Sequence, residues 1–205
     1  LISIDKSNLE SIIDLKNSVK DFLIDSQEKF WNLLHGAFKD QFENGAFYHQ
    51  HKLLKYLERD ILTNYYEGLR NNKNYGLSID LFQVDNYFLK LKIELGGQLY
   101  YGLMAYENND MKWERVLKGS RLPEKITNIR SFLIDNYQWE SNDLSSGWLA
   151  QKCPEKDIGF CEDKKDMNFI SDFYNKGVDS EYFKSLLNEI KEYYNLLKSQ
   201  EKKYR

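Results

Sequence analysis

The sequence predicts an α+β protein: N-terminal helices, a central antiparallel β-meander, and C-terminal helices packed on the sheet. Three observations predict it. Apolar residues recur with a helical period before residue 70 and after residue 123. Between them the period switches to two. Two turn pairs, Asp85-Asn86 and Gly96-Gly97, divide the period-two stretch into three segments. Helices bury a stripe at spacing 3.6 and half-buried strands bury alternate residues, so the two periods separate the classes.

The elements follow in chain order. Ser7-Asn8-Leu9-Glu10 forms a capping box, in which the Ser hydroxyl accepts from the N3 amide and the Glu reaches back. Leu9, Ile12, Ile13, Leu15, Val19, Phe22 and Leu23 make one helical stripe behind it. A second helix is expected from Asp25 or Ser26, with Phe30, Trp31, Leu34 and Phe38 on its face and an end at Glu43 to Gly45. A third is expected from about Tyr48 to Leu69, carried by Leu53, Leu54, Leu57, Ile61 and Leu62 and stopped by "RNNKNYG".

The meander comes next. Leu77, Ile79 and Leu81 alternate with Ser78 and Asp80. Leu89, Leu91, Ile93 and Leu95 alternate with Lys90, Lys92 and Glu94. Leu99, Tyr101, Leu103 and Ala105 alternate with Tyr100, Gly102, Met104 and Tyr106. Hairpin-connected strands with one buried face read this way. Tyr106 to Pro123 reads as loop, and Pro123 opens a helix at N1 with Ile126, Ile129, Leu133 and Tyr137 as its stripe. Trp148-Leu149-Ala150 reads as a short strand joining the sheet, followed by a loop from Gln151 to Asp166. A short helix over Asn168 to Asn175 ends at Gly177, and Asp179 or Ser180 caps a last amphipathic helix whose tail, "KSQEKKYR", frays. The change of period at Asn71 to Gly76 is the one boundary. It divides a helical region, 1–74, from a sheet with helices, 75–205, which also read as one continuous domain.

Composition bounds the function. The chain has 205 residues, is 41% hydrophobic and 15% aromatic, and carries a formal charge of −3. That suffices for a packed core. It lacks the basic excess of a dedicated nucleic-acid binder, though a local basic groove stays open. No apolar run approaches the ~18 residues of a membrane span, and the first ten residues have no signal-peptide pattern. Two cysteines, Cys153 and Cys161, fit a reducing compartment, so a cytoplasmic protein is expected. The missing initiator Met makes the chain read as a piece, the C-terminal part of a longer protein.

Motifs that carry chemistry are sparse. Glu162-Asp163-Lys164 has the letters of the acid-x-Lys step of a metal-dependent nuclease. That step needs a strand, so that alternate side chains meet one metal. Here it sits in a charged stretch without strand pattern, and it reads as a solvated loop. His49-Gln50-His51 lacks the partners of a zinc site, because Cys153 and Cys161 have no Cys-x-x-Cys form. No G-x-S-x-G or phosphate loop is present, so the chain carries no catalytic motif and no expected metal of its own. Lys90, Lys92 and Glu94, facing Asp80, read as a solvent face with cross-strand charge pairing. The competing reading is a basic strip for a phosphate backbone, assisted by exposed rings of Tyr100 and Tyr106.

The order of these elements resembles a known family. "FLKLKIELGGQLYYGLMAYE", a helix, "SSGWLAQK", a short helix and "DSEYFKSLLNEIKEYYNLL" are similar to the C-terminal, non-catalytic half of bacterial and phage PD-(D/E)XK nuclease superfamily proteins. The resemblance covers about Tyr75 to Leu197 and includes the step Trp148 to Lys152. It implies a recognition or regulatory region of a DNA-acting protein, with a place in phage defence. Magnesium would then belong only to a nuclease core outside this chain. No family catalytic residue has a matching position here. Lys90, Lys92, Tyr100, Tyr106, Trp148 and Lys152 are the expected contacts to DNA or to a partner, which is a nuclease domain or another protein chain. Two alternatives stand beside it: a protein-interaction module with no nucleic-acid role, and an enzyme with a dispersed site.

Overall fold

A computed structural model describes residues 6–42, 45–49, 52–68, 75–96, 98–107, 122–140, 148–160 and 164–204. Helix α1, Lys6–Gln41, is a single helix of 36 residues where the sequence predicts two. Asp25-Ser26-Gln27 does not interrupt it, because none of the three breaks a helix on its own. Gln27 spends its side chain on tertiary partners instead of a cap: it accepts from the Tyr75 hydroxyl and lies 3.3 Å from that of Tyr66. From Leu23 onward α1 buries one face, with Phe30, Trp31, Leu34 and Phe38 fully enclosed. Residues 10–18 stand in solvent.

The third predicted helix is overturned. Strands β1, Gly45–His49, and β2, Lys52–Leu54, occupy its first half, and only α2, Arg59–Tyr66, is helical. The leucine spacing suggested a helix, but β1 pairs antiparallel on both sides. Phe47 lies opposite Leu54 and Leu77, and Tyr48 opposite Leu53 and Gly76. Aromatic residues favour a pleated, two-sided setting, and this tertiary pairing overrides the local pattern. The segment before residue 74 therefore contributes two strands to the sheet as well as helices.

Strands β3, Tyr75–Val84, β4, Tyr87–Leu95, and β5, Leu99–Tyr106, form the meander, and β6, Trp148–Lys152, closes its far edge. The six-stranded sheet has the order β2-β1-β3-β4-β5-β6, antiparallel throughout. Asp85 takes a left-handed φ of 53° in the first hairpin turn, the conformation for which Asp is tolerated. Helix α3, Glu124–Tyr137, starts one residue later than predicted, with Pro123 as N-cap. Helix α4, Lys164–Lys176, is longer than predicted and ends where Gly177 turns left-handed at φ 57°. A short 3₁₀ turn leads to Ser180, whose hydroxyl accepts from the Phe183 amide and caps α5, Glu181–Tyr204. The tail expected to fray is helical to Tyr204, which is buried, and Lys198 donates to the Leu81 carbonyl.

The helices and one sheet face enclose a continuous apolar core drawn from both sides of residues 71–76. At its centre the Phe30 ring meets Trp31, Phe160, Phe169, Phe173 and Phe183 at centroid separations of 5.4 to 5.9 Å, all edge-on. Such pairs contribute about 0.5–1.5 kcal/mol each beyond the buried area. The core thus fixes α1, α4 and α5 against the sheet and leaves the opposite sheet face to a different chemistry. No described helix is long and apolar enough to cross a membrane.

Candidate functional site

Strand alternation sends Leu89, Leu91, Ile93 and Leu95 toward the helices and Lys90, Lys92 and Glu94 to the outer face. Register then assembles three cross-strand rows there. Tyr48, Gly76, Glu94 and Tyr100 lie side by side on β1, β3, β4 and β5. Ala46, Ser78, Lys92 and Gly102 make the next row. Asp80, Lys90, Met104 and Trp148 make the third, on β3 to β6. The two glycines create the room. A Cβ on Gly76 would fall 1.8 Å from the Ile93 carbonyl oxygen, so β3 carries no side chain between Tyr48 and Glu94. A Cβ on Gly102 would fall 2.7 Å from the Trp148 ring, which lies over it.

Across Gly76, Tyr48 donates its hydroxyl to Glu94 Oε1. Tyr100 donates to Glu94 Oε2 at 2.6 Å, and Lys92 Nζ donates to Oε1 at 3.1 Å. The Lys92 ammonium also lies 3.6 Å from the Tyr48 ring centroid, a cation–π contact. Lys90 Nζ bonds Asp80 Oδ1 at 2.7 Å and lies 5.9 Å from the Tyr106 ring centroid. Burial pushes the Lys92 pKa down against the opposing pull of Glu94. Burial, reinforced by the Glu94 charge, pushes the Tyr48, Tyr100 and Tyr106 phenols up.

This face is not the solvent face the sequence suggested. Lys90 is 4% exposed, Lys92 0% and Tyr106 3%, and Tyr100 is half-buried. The physical reason is that Met104, Tyr106 and Trp148, with Phe88 and Tyr100, form a second apolar cluster around the charges. The expected cross-strand charge pairing of Lys90 with Asp80 is present, with the Lys90 end buried and the Asp80 carboxylate open to solvent. A fully enclosed Lys92 cannot track a phosphate backbone, and the Tyr106 ring is not an exposed stacking platform.

Lys152 is separated from the others by the sheet. A bulge leaves Leu149 unopposed between Trp148 and Ala150, so Trp148 faces the outer cluster. Lys152 pairs with Tyr101 on the helix-facing side and bonds the Tyr193 hydroxyl at 2.8 Å. There Glu189 accepts from Tyr101 at 3.1 Å, and burial raises the Glu189 carboxyl pKa.

Glu162 and Asp163 lie outside the described residues, and Lys164 opens α4 instead of lying on a strand. Gln50, His51 and Cys161 also lie outside them. His49 ends β1, and burial lowers its pKa. Among the described residues no group of three or more His, Cys, Asp or Glu side chains is placed to hold a metal ion.

Sequence reasoning missed Tyr48, Ser78 and Lys39. The sequence pattern places Tyr48 in a helix and gives Ser78 only as an alternating polar residue. The available signal was the Gly45-Ala46 pair before Phe47-Tyr48, a strand start after a helix stop. Lys39, Ala46, Ser78, Asp80 and Lys90, with Gly45 and Leu53, line an open cleft of about 350 Å³ beside the buried pair. Glu94 already accepts three hydrogen bonds and Lys92 is enclosed, whereas Lys39, Asp80 and Lys90 line the cleft. No family model, curated protein or solved structure matches the chain.

Proposed function

We propose that this chain is a non-catalytic recognition and regulatory region of a PD-(D/E)XK nuclease-like protein that acts on DNA in the cytoplasm, with a role in phage defence. The observation that carries this reading is the order of elements on which the resemblance rests. The meander β3–β5 is followed by α3, by β6 with Trp148 to Lys152, and by α4 and α5. The DNA contacts move from the original set to the rim. Lys92 and Lys152 bond Glu94 and Tyr193, whereas Lys90 lines the cleft together with Lys39. Divalent metal belongs to the nuclease core and not to this region.

The test is an electrophoretic shift and cleavage assay at about 50 mM salt, with single- and double-stranded DNA, with and without Mg²⁺. Binding without cleavage, weakening steeply as salt rises, is the expected result. Cleavage that depends on Mg²⁺ would overturn the non-catalytic assignment. Absence of any shift would overturn the DNA assignment.

A second reading, a protein-interaction module, is favoured by one observation. The amino-terminal part of α1 leaves Ile12 and Leu15 54% and 66% exposed, with Ile13 beside them. Apolar side chains clustered on one exposed helix are a recurrent mark of contact surfaces.

A further inference from the structure

We propose that the cleft over β1, β3 and β4 binds a phosphate group, with Lys39, Ser78 and Lys90 as its donors. This deepens the reading of the chain as a DNA-acting region and rests on it for the source of the phosphate. The charge balance comes first. Two lysines, Lys39 and Lys90, line the cleft against one carboxylate, Asp80. Asp80 is bonded to Lys90 at 2.7 Å, while Lys39 makes no ion pair among the described residues. The cleft therefore holds one positive charge in excess and favours an anion.

The second observation is independent of charge. Ser78 lines the cleft, is 3% exposed, and its buried hydroxyl has no hydrogen-bond partner among the described residues. A buried donor without an acceptor is costly, and native proteins satisfy nearly all of them. An acceptor-only oxygen entering the cleft removes that cost. The three donors come from three separate elements, α1, β3 and β4, around one cleft. That suits a tetrahedral phosphate better than a flat carboxylate, and its charge-assisted hydrogen bonds are the strong kind. Ala46 keeps the floor between the donors low, and Leu53 supplies an apolar wall. The volume of about 350 Å³ admits a terminal phosphate with part of its nucleoside.

Two sources share this chemistry: the terminal phosphate of a DNA strand, and free phosphate. The experiment titrates the chain with inorganic phosphate and, in a parallel arm, with 5′-phosphorylated and 5′-hydroxyl oligonucleotides of the same single-stranded sequence. The variants are Lys39→Ala and Ser78→Ala, with Lys191→Ala on the exposed face of α5 as control. Ser78→Ala removes a hydroxyl that holds nothing in the fold, so the thermal unfolding temperature is not lowered. The expected result is a preference of roughly tenfold for the phosphorylated end. Lys39→Ala and Ser78→Ala each remove most of that preference, and Lys191→Ala keeps it. Equal binding of both ends, with no phosphate binding, would overturn the cleft and leave the DNA reading standing. Phosphate binding that Ser78→Ala abolishes, without binding of either oligonucleotide, would support the cleft, assign free phosphate and overturn the DNA reading. A preference for the phosphorylated end that survives both cleft variants would also overturn the cleft.

Discussion

Glu94→Gln is the sharpest probe of the outer face. The substitution keeps the size of the side chain and removes its charge. Lys92, fully enclosed, then loses the carboxylate charge at 3.1 Å. Removing one partner of a buried pair costs about 3–5 kcal/mol, because the remaining charge is desolvated without compensation. In a chain of this size each kcal/mol lowers Tm by about 2–4 °C, so a drop of roughly 6–20 °C is expected. The loss should depend on pH with a definite sign. Burial already lowers the Lys92 pKa in the native state, and without Glu94 it falls further. Between that lowered pKa and the unfolded value, the unfolded chain binds one more proton than the folded one, so stability rises with pH. Urea unfolding at pH 6 and pH 9 measures this, with an unchanged m-value securing the comparison. The deficit should be largest at pH 6 and shrink at pH 9. A deficit below about 1 kcal/mol at both pH values would refute the reasoning, since it would mean that water solvates Lys92.

Three further outcomes follow from the structure. Tyr48, Tyr75, Tyr100, Tyr101 and Tyr106 all have phenols raised by burial, so the folded chain keeps protons that the unfolded chain loses above pH 10. Stability should fall there by up to about 7 kcal/mol per pH unit for the five together, outweighing the opposite trend of Lys92, and phenolate absorbance should appear with unfolding and not before it. Gly102→Ala would place a Cβ 2.7 Å from the Trp148 ring and 2.5 Å from the Ala150 carbonyl oxygen, and should cost about 1–3 kcal/mol with a red shift of tryptophan fluorescence. Gly36→Ala, on α1 with nothing within 4 Å, should instead stabilise by about 0.5–1 kcal/mol.

The parts of the fold that were legible are those where local chemistry and tertiary setting agree. The meander could be read because alternation and the turn pairs at Asp85-Asn86 and Gly96-Gly97 give one answer. The joining strand at Trp148, the left-handed Gly177 and the Ser180 cap could be read for the same reason. The misreadings are places where a distant partner decides. Tyr48 became a strand residue because β3 pairs with it, and no window around residue 48 contains Gly76. Asp25-Ser26 stayed helical because Gln27 meets Tyr75 and Tyr66. Exposure of the site was misjudged most. Alternation correctly put Lys90, Lys92 and Glu94 on one face, but it says nothing of whether that face meets water. The resemblance puts Lys152 with Trp148 in one step, and the sequence reads Lys152 as loop, whereas β6 runs on through it. The bulge at Leu149, which separates them, has no signature in the letters.

The two faces of the sheet solve the same problem with opposite means. The helix-facing side is held by aromatic edges around Phe30, whose attraction is spread over many contacts. The outer side is held by one carboxylate with three donors, which tolerates little, since each donor has a required position. Tyr48, Lys92 and Tyr100 come from three strands, so a one-residue slip of β1 or β5 against β4 would turn a donor to the wrong face. The pair at Lys92 and Glu94 is thus better understood as fixing the alignment of β1, β4 and β5 than as acid–base machinery. Because β1 and β3 carry Ala46 and Ser78 at the cleft floor, the same alignment places those residues beside Lys90. The buried charges act on any ligand indirectly, by holding the rim in shape.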